Sequence, residues 1–145
     1  MSRFGRLGAV LAMTAFVSAS GSADAATITR RGTFNVTVTI LSPSTIPKAT
    51  LFTLRASVIV NGTQTRQTEA ATQLVAKTKD TQIVTISVPY LWKLEQPVNS
   101  KASLTIGVSA TTSNQQPLFN EATRTFAVTL PAHGATTSVA TSLRL

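Results

Sequence analysis

The sequence predicts an all-β protein: a single antiparallel β-sandwich of immunoglobulin-like type, with about seven strands, preceded by a cleaved signal peptide. Apolar and polar residues alternate in several segments, which is typical of half-buried strands. The β-branched residues Thr, Val and Ile are frequent, and prolines fall between the alternating segments. Because the chain has no cysteine, the disulfide of true immunoglobulin domains is excluded. A small closed barrel is the alternative architecture.

The first 25 residues have the layout of a secretory leader. Arg3 and Arg6 give a positive start, an apolar stretch covers residues 7–19, and small residues lead to a predicted cut after Ala25. A membrane anchor is disfavoured because the apolar stretch is shorter than the roughly 20 residues that span a bilayer. The sequence therefore predicts an exported domain over residues 26–145, located in the periplasm or outside the cell.

The first half of the domain contains two clear strands. Apolar residues alternate with polar ones over residues 33–41 and again over residues 51–60. Asn61 and Gly62 follow directly, and this pair is a strong hairpin signal because both residues tolerate positive φ. Residues 63–80 are ambiguous between a strand with a loop and a short helix, and the strand with a loop is favoured.

The second half predicts four more strands by the same alternation. Gly107 falls on the outer face of one of them and marks a possible bulge. Proline is expected to end two of them, since it cannot donate a hydrogen bond to a neighbouring strand. The predicted strands are residues 83–88 ended by Pro89, residues 104–110, residues 126–130 ended by Pro131, and residues 139–145.

The domain has few residues suited to catalysis or metal binding. General acid–base catalysis and hard metal ions draw on Asp, Glu and His, and those present are scattered with no close pair. His133 is expected in a solvated turn; the alternative is a general base for a serine. The sequence thus predicts no enzyme, no metal and no cofactor. The residues concerned are Glu69, Asp80, Glu95, Glu121 and His133.

The chain is basic, with a formal net charge of +8. Cleavage after Ala25 removes Arg3, Arg6 and Asp24, which leaves +7. The cations are dispersed, whereas nucleic-acid binders cluster them and interleave aromatic residues. No nucleic-acid partner is therefore expected. Solubility and protection of sheet edges explain the charge, and attraction to anionic envelope components is the alternative.

Two apolar features fall outside the predicted strands. A Tyr-Leu-Trp segment follows the proline that ends the fourth strand, and a Leu-Phe pair lies in a polar loop before the sixth. Such residues build protein-binding or sugar-stacking surfaces, or else cover an open end of the core. The candidate interaction surface comprises Tyr90, Trp92, Lys93, Leu118 and Phe119.

One short segment resembles a known family. Residues 32–39, with the sequence Gly-Thr-Phe-Asn-Val-Thr-Val-Thr, resemble the first strand of pilin subunits related to spore coat protein U. The resemblance covers that strand alone, and the cysteine that follows in those pilins is absent here. It therefore implies a strand at this position and nothing more.

These observations predict a non-catalytic structural or protein-interaction module of the bacterial cell envelope or surface, such as an adhesin-like or assembly subunit. Its partner would be another envelope protein or a second copy of itself. An N-terminal segment, residues 27–40, is a candidate for addition to a neighbour's sheet edge. The alternative is a module that binds carbohydrate or an anionic glycan. No transmembrane segment is expected in the mature chain.

Overall fold

A computed structural model describes residues 26–111 and 117–145, with only the backbone described at residue 111 and residues 117–120. The predicted signal peptide lies outside the described residues. The described chain forms seven strands and contains no helix. The strands are β1 (Thr27–Leu41), β2 (Leu51–Asn61), β3 (Arg66–Ala76), β4 (Thr81–Glu95), β5 (Lys101–Thr111), β6 (Pro117–Val128) and β7 (Thr136–Arg144).

The strands form two sheets that pack face to face. The first sheet has the order β4-β1-β7, and the second has the order β3-β2-β5-β6. Every neighbouring pair is antiparallel except β1 and β7, which are parallel. Each connection reverses the chain, so odd-numbered strands run one way and even-numbered strands the other. Since β1 and β7 are the one adjacent pair with two odd numbers, the prediction of a purely antiparallel fold is wrong for that pair.

The core fills the space between the sheets, and the period-two alternation places its residues there. In β1, Phe34, Val36, Val38 and Ile40 are fully buried, as the alternation predicts. The same pattern is confirmed in β2, β4 and β5. The buried residues of those strands are Phe52, Leu54, Ala56, Val58, Val60, Val84, Ile86, Val88, Tyr90, Trp92, Leu94, Ala102, Leu104, Ile106, Val108 and Ala110.

The ambiguous segment is a strand. β3 pairs with β2 along its whole length after a loop in which Gly62 N donates to Thr65 O at 2.7 Å. The hairpin is confirmed: its loop covers residues 62–65, and Asn61 and Gly62 are not among the described residues with positive φ. Leu74 is 65 % exposed whereas Val75 packs against the core, so these neighbours lie on opposite faces, as in a strand and unlike one face of a helix.

Pro89 does not end its strand, which is a correction to the sequence prediction. β4 is an edge strand of the first sheet and continues to Glu95. The backbone N–H and C=O of Lys93 bond the Gln67 side chain instead of β1. Backbone groups alternate sides along a strand, so Pro89, four residues earlier, also directs its backbone away from β1. The missing N–H of proline is tolerated there because no strand needs it.

Other strand limits also differ from the predictions. β1 is the central strand of its sheet: residues 33–41 pair with both β4 and β7, and residues 27–32 pair with β4 alone. The segment predicted to add to a neighbour's sheet edge, residues 27–40, thus lies in the chain's own sheet. β6 begins at Pro117 and ends at Val128, so it starts earlier and ends sooner than predicted. The bulge lies between Ser109 and Thr111 rather than at Gly107. Within the described ranges there is no helix able to cross a membrane.

Candidate functional site

The structure corrects the position of the two aromatic residues of the candidate surface. Because β4 continues past Pro89, Tyr90 and Trp92 point inward, and they are 4 % and 0 % exposed. Their rings stack at 4.1 Å between centroids, and Phe34 lies 5.4 and 6.1 Å from the two rings. Tyr90 and Trp92 are therefore core residues in this structure, and they offer no exposed platform for a sugar or a partner.

The aromatic cluster carries two polar atoms without a partner. Among the described residues, no hydrogen-bond partner lies within reach of the Tyr90 hydroxyl or of the Trp92 Nε1–H. Burial raises the pKa of Tyr90 above 10.0, and the positive charge of Arg30 opposes that rise. A Cβ at Gly32 would overlap the Tyr90 hydroxyl and the Ala135 carbonyl, so only glycine fits beside this ring.

The remaining candidate residues divide between two strands. The Lys93 side chain is exposed on the outer face of β4. Leu118 and Phe119 lie in β6 rather than in a loop, and their side chains lie outside what the structure describes. Lys93 is in the first sheet and β6 is in the second, so the five predicted residues do not form one surface.

Three of the acidic and histidine residues have structural partners. The Glu95 carboxylate accepts from Thr63 N at 3.2 Å and Gln64 N at 3.1 Å, and so holds the β2–β3 loop. His133 Nδ1 lies 3.1 Å from Thr29 O. Asp80 pairs with a lysine, as described next. Among the described residues, no three Asp, Glu or His side chains are placed to hold a metal ion.

Lys77 is a buried lysine at the end of β3. Its Nζ donates to Pro43 O at 2.8 Å and to Ile46 O at 2.7 Å, and it pairs with Asp80 at 2.8 Å. These bonds tie the β1–β2 connection to the turn between β3 and β4. A buried ammonium needs such partners because an unpaired charge is costly to desolvate.

The sandwich has two seams, where the edge of one sheet faces the edge of the other. We call the side between β3 and β4 the closed seam. At one end, Gln67 Nε2 donates to Lys93 O at 2.6 Å and Lys93 N donates to Gln67 Oε1 at 2.9 Å. At the other end, Gln82 Nε2 donates to Ala76 O at 3.0 Å. Glutamine side chains therefore occupy backbone groups of both edges.

We call the side between β6 and β7 the open seam. The described side chains make one direct hydrogen bond across it, from Arg124 Nη1 to Thr141 Oγ1 at 3.4 Å, which is long. A cavity of about 240 Å³ lies there, lined by Arg124, Phe126, Ala140 and Thr141. Phe126 is only partly buried against the core. Apolar core surface is thus reachable between two strand edges.

The open seam also presents unpaired backbone groups. Ala135 O and Leu145 N, just outside the two ends of β7, bond β1, so the even-numbered residues of β7 direct their N–H and C=O outward. In β6 the odd-numbered residues direct their N–H and C=O outward. The Gly62–Thr65 bond shows which residues of β2 face β3, and the same alternation followed through β2 and β5 gives the orientation of β6. Most of the outward-directed residues are small and uncharged. From Glu121 onward in β6, and along the whole of β7, they are Glu121, Thr123, Thr125, Ala127, Thr136, Ser138, Ala140, Ser142 and Arg144.

Sequence reasoning missed the open seam. Alternation along one strand indicates which face is buried, but it does not indicate which strands become edges. A usable signal was present in residues 121–129 and 136–142, two segments that contain a single cation, Arg124, and no proline, although Pro117 and Arg144 flank them. Natural edge strands commonly carry Lys or Pro to prevent pairing.

Comparison of the chain with protein-family models, with curated proteins and with solved structures finds no match. The functional proposals below therefore depend on the residues and on the geometry of the two sheets.

Proposed function

We propose that this protein is an exported, non-catalytic interaction or assembly module of the bacterial cell envelope or surface, and that it binds an extended segment of a partner at the open seam. The observation that carries the proposal is the pair of unblocked strand edges on either side of the partly buried Phe126. A strand added there would bond an edge through its backbone and cover the apolar surface with alternate side chains.

The chemistry of the edges supports strand addition. Exposed edges are templates for pairing, and proteins normally block them with Lys, Pro, bulges or a covering segment. The closed seam has such devices in Pro89 and in the bridging side chains of Gln67 and Gln82. Over residues 121–128 of β6 and 136–142 of β7, Arg124 is the one cation, and its described bond to Thr141 is long. Pro117, which begins β6, and Arg144, which ends β7, stand at one end of the seam.

We further propose that the sandwich is immunoglobulin-like. In that fold strands B and E pair in one sheet, while strands C′, C, F and G form the other. The order of β1 to β6 matches this arrangement, with β1 as B, β4 as E and β3-β2-β5-β6 as C′-C-F-G. β7 occupies the place of strand A beside β1 but runs parallel to it.

Export and the partner's location are part of the same proposal. The leader over residues 1–25 places the domain in the periplasm or outside the cell, where envelope proteins or further copies of the chain are available. N-terminal sequencing of exported protein should begin at Ala26. Exported material that still begins with Met1 would contradict the signal peptide.

A second candidate, glycan binding at the aromatic pair, loses its support because Tyr90 and Trp92 are buried. An enzymatic role lacks a cluster of catalytic side chains in the described residues, since Asp80, Glu95 and His133 are held apart by separate partners. Interaction through strand edges is the function that the geometry favours.

Site-specific photo-crosslinking in living cells tests the proposal. A photoreactive residue would replace Ala140 on the open seam, and in a matched chain it would replace Thr85, which lies on the outward edge of β4. Both positions are exposed and in edge strands. We expect a discrete crosslinked product, either to an envelope protein or to a second copy, from position 140 alone.

Two outcomes would contradict the proposal. One is equal crosslinking from both positions, which would mean that the seams do not differ. The other is the absence of any crosslinked product from position 140 under conditions in which a positive-control protein with the same photoreactive residue does form its known crosslink. Mass spectrometry of the crosslinked product and light scattering of the purified protein distinguish a foreign partner from self-association.

A further inference from the structure

A second surface lies on the outer face of the four-stranded sheet and extends to β6, which also borders the open seam. It is a trough of about 320 Å³ that crosses β2, β5 and β6. Its centre is Gly107, which pairs with Arg55 on one side and with Thr123 on the other. The trough is lined by Thr53, Arg55, Ser57, Thr105, Gly107, Val108, Ser109, Glu121 and Thr123.

The trough exists because Gly107 has no side chain, and the fold does not explain this glycine. A Cβ there would lie 3.4 Å from Thr123 Oγ1, which is ordinary contact, and its φ is outside the positive range. Glycine within a strand costs roughly 0.5–1 kcal/mol relative to alanine. The backbone thus tolerates a larger residue at this position, whereas the trough does not.

The groups around Gly107 are suited to a polar, anionic ligand. Hydroxyls of Ser and Thr residues both donate and accept hydrogen bonds. The Arg55 guanidinium presents donors in a geometry that matches a carboxylate or a phosphate, and in the described part of the chain no carboxylate forms an ion pair with it. Glu121, at the far end of the trough, accepts hydrogen bonds from ligand hydroxyls.

We propose that this trough binds an acidic saccharide. Arg55 takes the acid group, while the serine and threonine hydroxyls and Glu121 bind the hydroxyls of the sugar. The volume lies at the lower end of small-molecule sites, which suits roughly one or two sugar units. The net charge of +8 also favours approach of an anionic polymer. The trough shares Glu121 and Thr123 of β6 with the open seam, but its side chains lie on the outer face of the sheet, so the site would remain if the proposed strand addition failed.

Titration of the full-length protein, monitored by calorimetry and by backbone NMR shifts, tests the inference. The probes are trigalacturonate, a heparin-derived tetrasaccharide, neutral maltotriose and inorganic phosphate. We expect an acidic saccharide to bind and to shift the amides of β2, β5 and β6 around Gly107. Gly107→Val, which fills the trough, and Arg55→Gln should each weaken binding at least about tenfold, since a charge-assisted bond is lost or blocked.

Arg66→Gln is the matched control, because Arg66 lies on the same outer face but outside the trough. It should leave binding within about twofold. Unchanged melting temperatures would show that the variants fold. The inference is overturned if neither acidic saccharide binds at about 10 mM, if phosphate or maltotriose binds as tightly as the acidic saccharides, or if Arg66→Gln weakens binding as much as Arg55→Gln.

Discussion

The two seams of this sandwich have the same architecture and opposite chemistry. In each, two consecutive strands enter different sheets and leave their edges facing one another. At the closed seam, Gln67 and Gln82 bond backbone groups across the gap, and Pro89 removes a donor. At the open seam, small residues line both edges and Phe126 is partly exposed. Side-chain chemistry, rather than topology, thus decides which edge remains available to a partner.

The largest expected effect concerns the core beside the closed seam. Trp92→Ala should lower the free energy of unfolding by about 3–5 kcal/mol, because a fully buried side chain leaves a cavity. Phe126→Ala, at the open seam, should cost about 1 kcal/mol, because a partly exposed side chain loses less burial. Urea denaturation followed by circular dichroism measures both. Similar losses from the two variants would mean that the open seam is as well packed as the closed one.

The next effect concerns the turn that anchors the closed seam. Lys77→Ala should cost about 2–3 kcal/mol, because it leaves the Ile46 carbonyl without the Lys77 donor and removes one of the two donors to the Pro43 carbonyl. Lys79→Ala is the control: it removes the same charge from an exposed residue of the same turn and should change stability by less than about 0.5 kcal/mol. Equal effects in the two variants would remove the structural role given to Lys77.

A smaller effect is expected from opening the closed seam. Gln67→Ala removes two hydrogen bonds to the Lys93 backbone and should cost about 1 kcal/mol. The Lys93 amide should then exchange with deuterium faster, while amides of β1 keep their protection. Gln73→Ala, on the same strand, serves as the control because its exposed side chain has no such bond among the described residues. New self-association of Gln67→Ala alone would show that this glutamine also blocks an edge.

The sequence predicted the positions of the strands better than it predicted how the strands pair with one another. Alternation identified the buried faces of β1, β2 and β5, because each strand carries its own period-two signal. It failed at Pro89, since whether a proline is tolerated depends on whether its N–H faces another strand, and that is decided by residues far along the chain. As a direct result, the sequence places Tyr90 and Trp92 after the strand, as part of an interaction surface or as a cover over the open end of the core.

The candidate sites depend even more on pairing between distant segments. Gly107 lies on an outer face, which the alternation indicates, but the trough needs Arg55 and Thr123 on either side of it. The open seam needs β6 and β7 to be edges of different sheets. Local periodicity encodes neither relation. The sequence alone therefore predicted an interaction module but did not locate the trough or the open seam.

The smallest effect tests whether water reaches the aromatic cluster. The Tyr90 ring and the Ala135 carbonyl both lie beside Gly32, and Tyr90 is the one tyrosine of the chain. Its ultraviolet titration therefore reports a single group. Burial raises its pKa above 10.0 in the folded protein, because the charged phenolate is disfavoured there. The stability that the neutral Tyr90 side chain contributes is therefore fully present below pH 10, and it is lost as the pH rises through the folded pKa.

Tyr90→Phe should change stability at pH 7 by less than about 1 kcal/mol, because the hydroxyl has no partner to lose. At alkaline pH the variant should lose less stability than the wild type, because it has no phenol at position 90 to ionise. A wild-type phenol that titrates at 10 or below would mean that water reaches the Tyr90 hydroxyl. The core beside the closed seam would then be more accessible than its burial indicates, and the contrast between the two seams would be weaker.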